Sequence, residues 1–159
     1  MLAFTNESSN PSIIGETCHQ IGFSYGDELI LDFGEMTPYN HPKLADLRQG
    51  SWQLSTRATP WYLMQNNMFL FLPLLPGLTT DHAQMYLQDL ENKKLTNFVI
   101  DPNNFELTLS FEEGYELVLK PDLEDDSGIA YWELIMPNEQ ILIVGPGMFW
   151  ECKSIHEIA

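Results

Sequence analysis

YWELIMPNEQILIVGPG, residues 131 to 147, holds two apolar runs on either side of Pro137-Asn138-Glu139. In the first run Trp132, Leu134 and Met136 occupy every second position, the spacing of a strand with one buried face. The second, QILIV, is rich in β-branched residues and stops at Gly145-Pro146-Gly147. Two strand-like runs joined by turn-forming residues specify an antiparallel hairpin. The fold class follows, because the same pattern returns along most of the chain.

ELILDFGE at residues 28–35 and ELTLSFEE at residues 106–113 both place Leu, Leu and Phe at alternate positions behind a Glu. Each follows a turn, Tyr25-Gly26-Asp27 in one case and Asp101-Pro102-Asn103-Asn104 in the other, and a short apolar segment, QIGF or FVI, precedes each turn. Further on, Trp52-Gln53-Leu54 and Trp132-Glu133-Leu134 stand at nearly equal distances from the two Glu-led strands. Two pairs of matching segments at a nearly fixed offset imply an internal duplication. YELVL at 115–119 adds a strand, and Met148-Phe149-Trp150 is a final apolar piece.

Helical signals are few. Thr80 is placed to cap a helix from Asp81 to about Asn92, with Met85 and Leu90 at helical spacing and Lys93 and Lys94 near its end. HPKLADLRQ, residues 41–49, suits a short helix with Pro42 in its first turn and Gly50 as its stop. The expected fold is α+β: a mostly antiparallel β-sheet built from two related halves, with one central helix. Its expected divisions are a flexible N-terminus over residues 1–12, a first β-rich half over 13–78, a linking helix over 79–94 and a second β-rich half over 95–159. These form one compact domain or two tightly packed repeats.

Composition narrows the function. The 159 residues include 23 acids and seven bases, a formal net charge of −16. Residues 1–78 carry seven acids and three bases, and residues 79–159 carry sixteen and four, so the surplus gathers in the second half. A field of this sign repels nucleic-acid backbones and anionic membranes and attracts basic proteins. Cys18 and Cys152 form neither a CxxC motif nor a zinc pattern with the four histidines. With no basic, apolar leader at the N-terminus, the reading is cytoplasmic, with reduced thiols. MFLFLPLLPGL, residues 68–78, is too short and too proline-broken to span a bilayer. It reads first as an extended connection through the core; exposed, it would be an apolar docking surface for a regulatory subunit.

No motif specifies catalysis, a metal or a cofactor. In Cys18-His19 the neighbouring side chains of a strand point to opposite faces, which suits a structural cysteine better than a nucleophile and base. His19, His41, His82 and His156 fall in four separate segments without ligand spacing. Asp122-Leu123-Glu124-Asp125-Asp126-Ser127-Gly128 lacks the length and terminal Glu of a calcium loop and reads as a solvated loop. In GSWQLSTRATPW, residues 50–61, a strand from Trp52 to Thr56 turns Trp52 and Leu54 inward and leaves Arg57 at its exit, with Pro60 blocking continuation. Carboxylates Glu112, Glu113, Glu116, Asp122, Glu124, Asp125 and Asp126 are the candidate partner-binding set. The alternative is a small-ligand or enzyme pocket between the halves, lined by Trp52, Arg57 and Trp132.

In size, acidity and hairpin content the chain resembles the small acidic immunity proteins of bacterial toxin–immunity systems, and YWELIMPNEQILIVGPG is similar to strand pairs in bacterial families of that kind. The resemblance implies a non-enzymatic inhibitor of a basic toxin, such as a nuclease, bound through acidic side chains.

Overall fold

The computed structural model describes residues 2–3, 13–23, 28–38, 48–57, 59–71, 80–124, 130–137, 140–145 and 149–154. The strands are β1 (Leu2–Ala3), β2 (Thr17–Phe23), β3 (Leu29–Pro38), β4 (Arg48–Ser55), β5 (Trp61–Gln65) and β6 (Met68–Phe71). After helix α1 (Thr80–Leu87) come β7 (Lys93–Ile100), β8 (Leu107–Phe111), β9 (Tyr115–Leu119), β10 (Trp132–Ile135), β11 (Gln140–Gly145) and β12 (Phe149–Ser154). Every strand pair is antiparallel. The order is β12-β11-β10-β4-β3-β2-β7-β8-β9-β5-β6, with β1 against β7. The fold is thus a mostly antiparallel β-sheet with one short helix among the described residues.

The pairing is palindromic about the β2–β7 seam. Meander β2-β3-β4 lies on one side and meander β7-β8-β9 on the other. The hairpin β5–β6, which follows the first meander in sequence, completes the second by pairing β5 with β9. Hairpin β10–β11, which follows the second meander, completes the first by pairing β10 with β4. Register repeats as well. Cys18 faces Phe33 and Gln20 faces Asp32, leaving His19 as an extra residue. Leu95 faces Phe111 and Asn97 faces Ser110, leaving Thr96 as an extra residue in the same place. Such a bulge bends a strand and increases its twist.

That bend closes the core. Flat strands spaced about 4.8 Å apart would hold β3 and β8 about 14 Å from each other across β2 and β7. Instead the Phe33 and Phe111 rings stack at 6.2 Å with 16° between their planes. The sheet therefore folds over at the seam, where β2 and β7 share only the pairs Thr17–Lys94 and Cys18–Lys93. Between the folded layers lie the fully buried Leu29, Leu31, Leu54, Leu63, Leu107, Leu109, Leu117 and Leu134. Alternation along each strand delivers these residues to one face.

Trp61 and Trp132 each lead a strand that crosses to the opposite meander, whereas Trp52 pairs with Phe33 inside its own meander. Several expectations are corrected. The helix is shorter than its polar pattern suggested: α1 ends at Leu87, a 3₁₀ turn covers Gln88–Leu90, and Lys93 and Lys94 open β7. Asn92 sets that stop by adopting φ 71° and donating its N–H to the Cys18 carbonyl at 2.6 Å. The helix's buried face is Ala83, Leu87 and Leu90, and Met85 points to solvent, 68 % exposed. The helix expected over residues 41–49 does not reach its far end, because Arg48, Gln49 and Gly50 pair with Pro38, Thr37 and Met36 as β4; residues 41–47 lie outside the described residues. Of residues 1–12, expected to be flexible, only Leu2 and Ala3 are described, and their backbones pair with Ile100 and Val99; the rest of that expectation lies outside the described residues.

Candidate functional site

The five described candidate carboxylates fall at three places along β9. Glu112 and Glu113 form the 3₁₀ turn that leads into it. Glu113 takes φ 65° and Gly114 φ 79°, and a Cβ on Gly114 would collide with the Asn66 Oδ1 atom. Both acids have local duties: Glu112 Oε1 accepts the Lys94 N–H at 2.7 Å, and Glu113 Oε2 meets Lys93 Nζ at 2.9 Å. The hydrogen bond that Lys93 donates to Glu113 holds its ammonium pKa above its ordinary value. Glu116 sits mid-strand, half-buried. Asp122 and Glu124 are exposed beyond the far end, where Asp122 Oδ1 accepts the Glu124 N–H at 3.0 Å and fixes the turn. Asp125 and Asp126 lie outside the described residues. Five strand residues at about 3.4 Å each separate the two end groups, so no single short stretch gathers the set.

Trp52, Arg57 and Trp132 divide between core and surface. Trp52 is 2 % exposed and Trp132 is fully buried. The Trp132 indole donates to the Phe105 carbonyl at 3.3 Å and meets the Phe98 ring edge-on at 6.1 Å. Arg57 turns the chain out of β4 with φ 50°, and its Nε lies 3.1 Å from Glu133 Oε1 on β10. Thr59 next donates its hydroxyl to the Tyr131 carbonyl. The charged arginine thus ties the exit of the first meander to the hairpin β10–β11 that completes it, and the two indoles are buried in the interior.

Two buried titratable groups lie in the first meander. Cys18 is fully buried, and burial pushes its thiol pKa up to about 12, leaving it protonated at neutral pH. His19, next along the strand, is exposed. Asp32 is 1 % exposed; its Oδ1 accepts the Gly50 N–H and the Gln53 side-chain amide, both at 2.9 Å. Desolvation raises its pKa, and those two hydrogen bonds oppose the rise. Among the described residues, no three His, Cys, Asp or Glu side chains converge as a metal site. None of the described helices is long and apolar enough to cross a membrane.

Sequence reasoning did not single out the outer face of β5, β6 and β9. Trp61 and Leu63 turn inward, which leaves Tyr62 and Met64 on the outer face of β5. Asn66 and Asn67, at φ 49° and 67°, make the tight turn into β6. Met64 then lies between Glu116 on β9 and Phe69 on β6, and the Tyr62 and Phe69 rings meet at 5.4 Å. Met68 is 70 % exposed and Phe69 59 %. The beginning of the apolar run MFLFLPLLPGL is thus a surface feature; residues 72–78 lie outside the described residues. The signal was present in WYLMQNNMFLF, two alternating runs around an Asn-Asn turn, but the length of the apolar run masked it.

No family model, no curated protein and no solved structure matches this chain.

Proposed function

We propose that this chain is a non-enzymatic acidic binding protein that neutralises a basic protein partner, in the manner of an immunity protein against a cationic toxin. The observation that carries the reading is the charge imbalance: with 23 acids and seven bases, at least sixteen carboxylates lack a side-chain counter-ion of their own. Such a field speeds encounter with a cationic protein and makes binding sensitive to salt. Exposed Glu112, Glu113, Asp122 and Glu124, at the two ends of β9, belong to the half of the sequence where the surplus is greatest. Within this reading the protein acts in the cytoplasm.

We infer also that the two halves arose by duplication. Cys18, Ile21 and Phe23 correspond to Leu95, Phe98 and Ile100, and Leu29, Leu31 and Phe33 to Leu107, Leu109 and Phe111, in matching register. A duplicated, exchanged sheet is a rigid platform for such an interface.

The test is co-expression with the protein encoded immediately upstream. A complex on size exclusion at low salt that dissociates as salt rises supports the proposal, and charge reversal at Glu124, Asp125 and Asp126 should weaken it. Two folded chains that elute separately at low salt reject that partner.

A further inference from the structure

We propose that the outer face of β5, β6 and β9, where Phe69, Tyr62 and Met64 lie beside Glu116, docks an arginine-bearing segment of the basic partner; this rests on the binding role proposed above. Four observations converge on it. First, the face is apolar and open: Phe69 is among the most exposed large hydrophobic side chains described. Isolated exposed apolar residues are ordinary, but here Tyr62, Met64 and Phe69 adjoin one another across two strands.

Second, the apolar surface carries negative charge. Glu116 is the cross-strand neighbour of Met64. Tyr62 has its hydroxyl pKa held above the ordinary value by burial and then by Glu106 and Glu116, so both carboxylates act on the ring. Lys120, one step beyond β9, is exposed and lies on the same face two places from Val118, the partner of Tyr62, so Glu106 and Glu116 outnumber that cation. A guanidinium is the group that satisfies this combination: it stacks on an aromatic ring while its N–H groups meet a carboxylate. Third, β6 is an edge strand whose register slips between Leu63 and Met64. A bulged edge is poorly suited to strand addition, so recognition falls to the side chains on the face and not to the edge's backbone. Fourth, a second copy of this chain would bring another −16 to the interface, whereas a basic segment is attracted to it.

The experiment uses the full chain with ¹³C-methyl-labelled methionine and a fluorescent probe peptide, acetyl-(Arg-Gly)₄-amide, at physiological salt. The proposal expects the Met64 methyl signal to shift first, ahead of Met68, which alternates to the opposite face of β6. It also expects Phe69→Ser and Glu116→Gln, each verified as folded by circular dichroism melting, to weaken binding about tenfold, the scale of a desolvated cation–π contact. Neutralising Glu112, Glu113, Asp122 and Glu124 together should have a smaller effect. If Phe69→Ser and Glu116→Gln bind within twofold of the parent while the fourfold neutralised variant loses the peptide, this docking face is wrong and the acidic-binding role stands. If the parent does not bind the peptide at all, the face and the role both fail. Self-association on sedimentation that Phe69→Ser abolishes would assign the face to a second copy and overturn the proposal.

Discussion

The two meanders share an interior and differ outside. Leu29, Leu31 and Phe33 in the first occupy the same inward positions as Leu107, Leu109 and Phe111 in the second, and all six are buried. Outside, Asp32 and Ser110 occupy equivalent places, one facing Gln20 and the other Asn97. Asp32 is 1 % exposed and held by two donors, whereas Ser110 is half-buried and gives its carbonyl to the Thr96 hydroxyl at 3.1 Å. Inward side chains are constrained by close packing against each other, so their sizes and spacing must repeat if the sheet is to fold over at the seam. Outward side chains answer to water and to partners. The differences between the outer faces therefore carry the functional information, and among the described residues the second meander's neighbour β5–β6 is one place where apolar surface remains open.

The largest test of that contrast is the shared interior. Phe33→Ala and Phe111→Ala should each cost about 3–5 kcal/mol in denaturant unfolding. The double variant should cost less than the sum, because the rings contact each other across the seam; strict additivity would show that the stack does not hold the fold closed. Next comes the outer pair. Asp32→Ala leaves the Gly50 and Gln53 donors without their acceptor and should cost about 1–3 kcal/mol, and Ser110→Ala should be close to neutral. Equal losses would contradict the difference in burial.

Asp32→Asn probes the same site by pH. Burial raises the folded-state pKa above the unfolded one. Stability from protonated Asp32 is then fully present below the unfolded value and declines as pH rises through the raised one. The asparagine variant should therefore match the parent at low pH and gain on it as pH increases, read from melting temperature against pH; a gain confined to acid would reverse the sign. Smallest is the tie between the halves: Arg57 and Glu133 are partly exposed, so Arg57→Ala should cost no more than about 1 kcal/mol and lose even that effect in high salt.

Most strands were legible. Alternation predicted the buried rows of ELILDFGE, ELTLSFEE and YWELIM, and the turns between them are marked by Gly, Pro, Asp and Asn. Local patterning also placed Trp52 and Leu54 inward with Arg57 at the exit of β4. It erred where tertiary contacts overrode propensity. Arg48–Gly50, helical in composition, became strand because β3 was there to pair with it. Met85 and Leu90 looked like one helical face, but the packed face is Ala83, Leu87 and Leu90. The match of Trp52 to Trp132 was drawn by distance along the chain; in the sheet Trp52 faces Phe33 and Trp132 faces Val144.

The sequence by itself determined most of the strand segments, which face of each of those is apolar and how negative the molecule is, because these depend on neighbouring residues alone. Tertiary structure decided that each meander is completed by the other half's hairpin, that Asp32 is buried while Phe69 is not, and that the carboxylates of β9 are spread over both its ends. Those outcomes depend on which distant strand supplies the missing hydrogen bonds, and an alternating strand offers the same backbone donors and acceptors to any partner.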